Sequence, residues 1–339
     1  MNLKKYFFFV TVSFFILFVN NVYSQTFEPI LTDTPTPSPI ISPTPSPTPK
    51  IIKPLKLVYV LPKFIEGKKN YLTLKIDNKN KLSSDINISG RILYDQGNYS
   101  NDSPNLKEIF FEFNINEEIK IEIIFKRAGN KLIQIIPNET IFKPINIKTF
   151  VNPFKTTVFP VKLPENIKLS NNPLDWYVWV NLYYSYMRQP AYYQVTYKDE
   201  IIQRFLTSPA KVGFMTPTGT YNLGLKLKRP KSEKYNAYMP FWTTINIPPV
   251  GSFGNHGLEG EGYLYLLGAP ASHGCIRLSF KYLPYYNPKT KRFKYIEIGA
   301  AKWVYDNVPI GTKITLFRLP NKYIEFEIYG NLNRTIRNF

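Results

Sequence analysis

The chain has one cysteine and two histidines in 339 residues. A single cysteine excludes any disulfide within the chain, and three such residues cannot supply the four Cys or His ligands of a structural zinc site. Long apolar runs are equally scarce. The one present lies near the N terminus, so nothing downstream approaches the roughly 20 apolar residues that cross a bilayer, and the rest of the chain is expected to be soluble. Acidic residues are also few. The 24 Asp and Glu stand against 43 Lys and Arg, a formal net charge of +19. Such a balance suits an anionic partner: nucleic acid, acidic lipid or an anionic wall polymer. The cations are scattered, with no compact basic helix, zinc-finger spacing or RNA-binding signature, and nucleic acid is therefore not expected. The plainer account of the charge is solubility.

What is abundant points to strands. Hydrophobic residues make up 44%, and Phe and Tyr number 25 each; together with many Val and Ile this favours a mainly β fold. The N terminus, "MNLKKYFFFVTVSFFILFVNNVYSQ", has Lys4 and Lys5 before an apolar run of 13 residues, Phe7 to Val19, and then "VYS". This is the layout of a secretory signal over residues 1–24, with cleavage after Ser24. Left uncleaved, it would tie the chain to a membrane. No cysteine stands at the cleavage site, which excludes a lipoprotein anchor. The expected location is outside the cytoplasm, in the periplasm or cell wall.

Residues 25–54 read as a linker. Nine of the 26 residues from 29 to 54 are proline, mostly alternating with Ser or Thr. Such a stretch favours extended polyproline geometry and spans on the order of 80 Å at about 3.1 Å per residue. Residues 55–150 carry "LKLVYV", "YLTLKID", "IFFEF", "IKIEIIF" and "KLIQII". In the second of these, Leu72, Leu74 and Ile76 are expected to face inward. Short strands at this spacing suggest a β-sandwich of immunoglobulin-like type, serving as a spacer or wall-binding module. Proline-rich residues 151–172 read as a connector. A second β-rich region covers 173–319, with strands at "WYVWVNLYY", "YYQVTY", "IIQRFLTS" and "TPTGTYNLGLKL", a helix at 300–307 and a closing strand in "VPIGTKITLF". The stretch "YNPKTKRFKYIEIG" reads as a polar surface excursion. Residues 320–339 form a C-terminal extension.

All three scarce residues fall within twenty positions: His256 in "GNHGLEG", then His273 and Cys275 in "ASHGCIRLS". Three readings compete. In the first, Cys275 is a nucleophile: a free thiol is only a few per cent ionised at neutral pH, and a neighbouring imidazole removes its proton. Glycine beside it permits a tight turn whose amides stabilise an oxyanion, and Arg277 holds a substrate carboxylate. In the second, the three bind zinc, with an Asp, a Glu or water as the fourth ligand. In the third, a buried structural cysteine sits beside two satisfied histidines. Clustering of every such residue, flanked by glycine, in an exported chain favours the first.

"HG…SHGCIRL" resembles the signature of the L,D-transpeptidase catalytic domain, the YkuD type. "FLTSPAKVGFMTPTGTYNL", "YMPFWTTIN" and "AAKWVYDNVPIGTKITL" are similar to further family segments in the right order, so the resemblance covers roughly residues 174–319. It implies a mixed β fold and acyl transfer on peptidoglycan stem peptides, with no cofactor or metal. By position, Cys275 is the nucleophile and His256 the base. His273, Gly274 and Ser272 shape the oxyanion turn, and Arg277 and Gly257 contact substrate. The acceptor is a second stem, water or a protein amine, giving a 3–3 cross-link, an L,D-carboxypeptidase or protein anchoring. A non-catalytic wall-binding protein gripping anionic polymer is the rival from another class. Asn255 departs from the apolar residue usual before the first histidine, and a backbone carbonyl would serve to orient His256.

Overall fold

The structure is a computed structural model describing residues 55–77, 86–185, 189–259 and 261–326. The secretory segment and the proline-rich linker read from the sequence lie outside the described residues, as does the chain beyond 326. No described helix is long and apolar enough to cross a membrane.

Seven strands come first: β1 (Lys56–Val60), β2 (Lys69–Asp77), β3 (Asn87–Asp95), β4 (Leu106–Asn114), β5 (Glu118–Ile124), β6 (Gly129–Pro137) and β7 (Ile145–Val151). They form two sheets, in the orders β1-β2-β5 and β4-β3-β6-β7. Alternation places Leu72, Leu74 and Ile76 inside, as expected, with Tyr71 and Lys75 exposed. One core joins the sheets, with Leu72 and Leu74 from the first against Ile92, Phe113 and Ile135 from the second. The mainly β expectation thus holds, and the two sheets make a sandwich. In the immunoglobulin constant arrangement the fourth strand joins the first, second and fifth. Here β4 pairs with β3, so the split is three and four.

The second half supplies β8 (Lys155–Thr156), β9 (Trp176–Asn181), β10 (Tyr192–Tyr197), β11 (Glu200–Leu206), β12 (Gly219–Leu227), β13 (Lys231–Ser232) and β14 (Ala237–Tyr238). Next come β15 (Trp242–Ile245), β16 (Gly254–Gly257), β17 (Ile276–Leu278), β18 (Lys281–Asn287), β19 (Arg292–Ile298), α1 (Ala300–Asn307), β20 (Lys313–Phe317) and β21 (Glu325–Phe326). Eight of these build one mixed sheet in the order β11-β10-β9-β20-β12-β15-β16-β17. The β9–β20 and β16–β17 pairs are parallel. Helix α1 occupies the range expected from the sequence. It buries Ala300, Ala301 and Val304 in a core shared with Val178, Val180, Ile314 and Leu316. The expected surface excursion is a regular hairpin, β18–β19, paired with no other strand among the described residues.

The two halves meet across a buried polar seam. Arg204 of β11 is almost wholly buried. Its Nη1 donates to Glu66 Oε2 at 2.9 Å and to the Phe154 carbonyl at 3.0 Å, while Nε and Nη2 donate to Gln194 Oε1 at 2.9 and 2.6 Å. Glu66 lies in the β1–β2 connection and also accepts the Phe154 amide at 3.1 Å. Nearby, the Ile201 amide donates to the Gly67 carbonyl at 2.8 Å. Residues 151–172 run along the same edge: the Thr157 amide donates to Arg204 and the Leu206 amide to Thr157, each at 2.9 Å.

Candidate active site

Strand register brings the scarce residues together. β16 and β17 run parallel, with Asn255 opposite Ile276, His256 opposite Arg277 and Gly257 opposite Leu278. Residues in register share a face of the sheet, and so do residues two apart on one strand. His256, Arg277 and Cys275, just before β17, therefore fall on one side. The Gly254 backbone, at the start of β16, favours the ionised form of the Cys275 sulfur.

His256 is buried, and its Nδ1 lies 2.8 Å from the Gly257 carbonyl. A carbonyl can only accept, so Nδ1 carries the proton and Nε2 presents its lone pair. The indole of Trp242 in β15 stacks on the imidazole at 5.9 Å and 23°, and its own Nε1 donates to Thr244 Oγ1 at 2.9 Å. Gly257 is buried with both backbone polar groups engaged, its amide donating to Pro240 O at 2.7 Å. A side chain there would place Cβ 2.6 Å from Phe280 Cβ. Gly257, expected among the substrate-binding residues, sets its carbonyl against His256 Nδ1. Asn255 is fully buried, and its side-chain polar atoms have no partner among the described residues.

The turn before β17 is held from inside. Buried Ser272 accepts the Gly274 amide on Oγ at 3.1 Å and donates to the Cys275 carbonyl at 2.5 Å. Gly274 has φ of +134°, a conformation L side chains rarely adopt, with Phe253 against it. Its carbonyl accepts from Thr216 Oγ1 at 2.8 Å. Because the Gly274 amide is engaged by Ser272, it is not free for an oxyanion. The Cys275 amide makes no hydrogen bond among the described residues. Arg277 is half-buried and donates through Nη1 to the Ala271 carbonyl at 2.9 Å.

His273 turns outward between two aromatic rings. Tyr235, from the β13–β14 connection, stacks on it at 4.3 Å and 15°, and Phe214 meets it edge-on at 4.6 Å. No role was read from the sequence for Thr216, Trp242, Phe214 or Tyr235. The first three lie in segments that carry the family resemblance. Tyr235 lies in "KSEKYNAY", where nothing marks it.

Burial dominates the electrostatics. It lowers the His256 pKa to about 4, with Arg277 adding to the fall and the Gly257 carbonyl opposing it. It raises the Cys275 pKa against the Gly254 backbone and Arg277. Both shifts favour uncharged forms, a thiol on Cys275 and a neutral imidazole on His256, and neither group figures among the causes of the other's shift. His273 is also lowered, first by burial and then by Lys211, Arg277 and Lys234. Among the described residues, no three His, Cys, Asp or Glu side chains are grouped as metal ligands. A separate cavity of about 360 Å³, lined in part by Arg127, Lys131 and Tyr323, shares no residue with this site.

Residues 175–316 match the family model for the L,D-transpeptidase catalytic domain, YkuD. The match spans nearly all of the mixed sheet together with His256 and Cys275, and it bears out the resemblance read from the SHGC motif. That family acts on peptidoglycan. Among solved structures, an L,D-transpeptidase from Stackebrandtia nassauensis is 17% identical over 47% of this chain and 60% of its own, with a TM-score of 0.30. An L,D-transpeptidase from Mycobacterium tuberculosis H37Rv is 12% identical over 75% of this chain and 93% of its own, with a TM-score of 0.31. A fused Zn-dependent amidase/peptidase/peptidoglycan-binding protein from Clostridium acetobutylicum is 20% identical over 42% of this chain, with a TM-score of 0.26. The chain thus spans 60% of the Stackebrandtia protein and 52% of the Clostridium protein. No curated protein matches the chain.

Proposed function

We propose that the protein is an exported L,D-transpeptidase that joins peptidoglycan tetrapeptide stems by 3–3 cross-links through a Cys275 thioester. The observation that carries this reading is the shared face of His256, Cys275 and Arg277, inside a stretch matching the L,D-transpeptidase domain. His256 Nε2 takes the thiol proton as the sulfur attacks the carbonyl of the third stem residue. Because both groups rest uncharged, proton transfer accompanies attack. The new C–S bond leaves an oxyanion, which the free Cys275 amide stabilises. Its collapse breaks the C–N bond to the terminal D-alanine, whose amine departs with the proton held by His256. Arg277 holds the alanine carboxylate. The side-chain amine of a second stem then attacks the thioester, a C–N bond forms, the C–S bond breaks, and the amine's proton returns to sulfur by way of His256.

Mass spectrometry of a purified tetrapeptide muropeptide incubated with the protein tests this. The expected product is a dimer with the mass of two monomers less one alanine, absent with the Cys275→Ala protein. A dimer formed equally well by that variant would overturn the reading. A monomer lacking alanine would keep Cys275 as nucleophile with water as acceptor. A carbapenem is expected to leave an adduct on Cys275.

A further inference from the structure

The acyl-transfer chemistry makes no use of the β18–β19 hairpin. The hairpin follows the site strand β17 by two residues, Ser279 and Phe280. Its root is fixed: the Ala300 and Ala301 amides donate to Ser279 at 2.9 and 3.1 Å, and Glu297 pairs with Lys228 at 3.5 Å. Phe280 is buried under Gly257 and meets Tyr282 edge-on at 4.9 Å. The tip is ordered as well, Asn287 Oδ1 accepting the Lys289 and Thr290 amides at 3.0 and 3.3 Å.

Register divides the hairpin into unlike faces. Tyr282, Pro284 and Tyr286 of β18 share one face with Tyr295 and Phe293 of β19. Tyr286 and Phe293 stand opposite each other with ring centroids 5.3 Å apart, and Tyr282 and Tyr295 meet at 6.4 Å. This face is open: Tyr286 is 49% exposed, Tyr295 69% and Phe293 71%. The other face sets Arg292 and Lys294 beside the exposed Leu283, Tyr285 and Ile296, and Lys289 and Lys291 stand at the tip; these four cations form no ion pair among the described residues. A two-stranded hairpin is marginal by itself, and a continuous exposed aromatic face marks a binding surface.

We infer that the aromatic face of this hairpin binds the glycan strand of peptidoglycan, holding sugar rings beside the site where a stem peptide reacts; this rests on the reading of Cys275 above. A pyranose ring offers an apolar face of C–H bonds, and the aromatic ring offers a matching electron-rich face. Alternate residues along a strand are about 7 Å apart, a spacing on the scale of one sugar ring. The cations complement the carboxylates of the stems and of lactyl groups that bear no stem. A bilayer fits less well, because the hydroxyls of Tyr282, Tyr286 and Tyr295 would lose water on entering the acyl region, whereas a sugar's own hydroxyls can pair with them. A second copy fits less well again, since it would oppose two hairpins that each carry five cations and one acid over residues 281–298.

The test uses the full chain bearing Cys275→Ala, so that binding is read apart from chemistry. Pelleting is measured with insoluble glycan strands stripped of their peptides. The added substitutions Tyr286→Ala, Phe293→Ala and Tyr295→Ala should weaken pelleting by about tenfold or more. A second variant, Lys291→Gln with Arg292→Gln and Lys294→Gln, keeps the rings and should weaken it chiefly at low salt. In the Cys275 protein, the three ring substitutions should lower turnover on intact sacculi relative to turnover on a soluble stem peptide. Failure to bind stripped glycan, or binding indifferent to the ring substitutions, overturns the inference. So does ring-dependent binding to anionic vesicles, or ring-dependent self-association, without glycan binding. Loss of stem-peptide turnover in the unsubstituted protein would instead condemn the Cys275 reading, leaving the pelleting result to stand by itself.

Discussion

His256 carries the most testable consequence at the scale of single residues. Its ionisation is held near pH 4 by burial, so the base stays competent well below the ordinary histidine range. The acid limb of kcat/KM on a soluble stem peptide is expected to break near pH 4; a break near 6.5 would mean that the imidazole is not buried as described. The same shift affects stability. The folded value lies below the unfolded one, so the stabilisation is complete above about pH 6.5 and is lost as pH falls toward 4. The loss is on the order of 3 kcal/mol. Denaturant unfolding at neutral pH and at pH 4.5 should show it, and His256→Gln should remove that part of the slope. Cys275, His256 and their glycines were legible because scarce residues clustered in a motif. The proton inventory was not, because burial is a property of the fold. Neither was the engagement of Gly274 by Ser272, which depends on the path of the turn, nor Tyr235, which reaches His273 only after a hairpin folds back.

Elements were legible where alternation was clean. The period of two in β2 matched its burial, and α1 kept its expected bounds. β3 was not read as a strand because Ser89 and Gly90 interrupt it, and β18–β19 looked like a polar loop because Lys, Asn and Pro outvote the rings until register gathers Tyr282, Tyr286, Phe293 and Tyr295 on one face. Strand order was hidden: β20 lies between β9 and β12 through pairings distant in sequence, which local pattern does not encode. The seam between sandwich and mixed sheet was equally invisible. Neither Glu66 nor Arg204 stands out in its strand or loop, yet their side chains are 3% and 0% exposed and paired. Removing one partner leaves a buried charge, so Glu66→Ala or Arg204→Ala alone should cost about 3–5 kcal/mol in denaturant unfolding. Replacing both with apolar residues of similar size should recover most of that loss. An equal loss in the double variant would show that the seam depends on packing and not on the pair.

For the whole molecule, the net charge of +19 offers two accounts that salt can separate. If the charge grips anionic wall polymer, the Cys275→Ala protein should bind isolated walls at low ionic strength and be released as salt rises from roughly 0.05 to 0.5 M, where screening shortens from over 10 Å to a few ångströms. Binding unchanged across that range would leave the charge to solubility.

Arg204 ties the history of the two halves together. A guanidinium buried in the mixed sheet is tolerable only while a carboxylate from the sandwich reaches it. A descendant that discarded the sandwich would inherit a charge with no counter-ion, and a recombinant that received a foreign module would face the same defect. Either lineage would be pressed to replace Arg204 with an uncharged residue. The side chain at that position in a relative should therefore register whether its catalytic sheet still travels with a sandwich like this one.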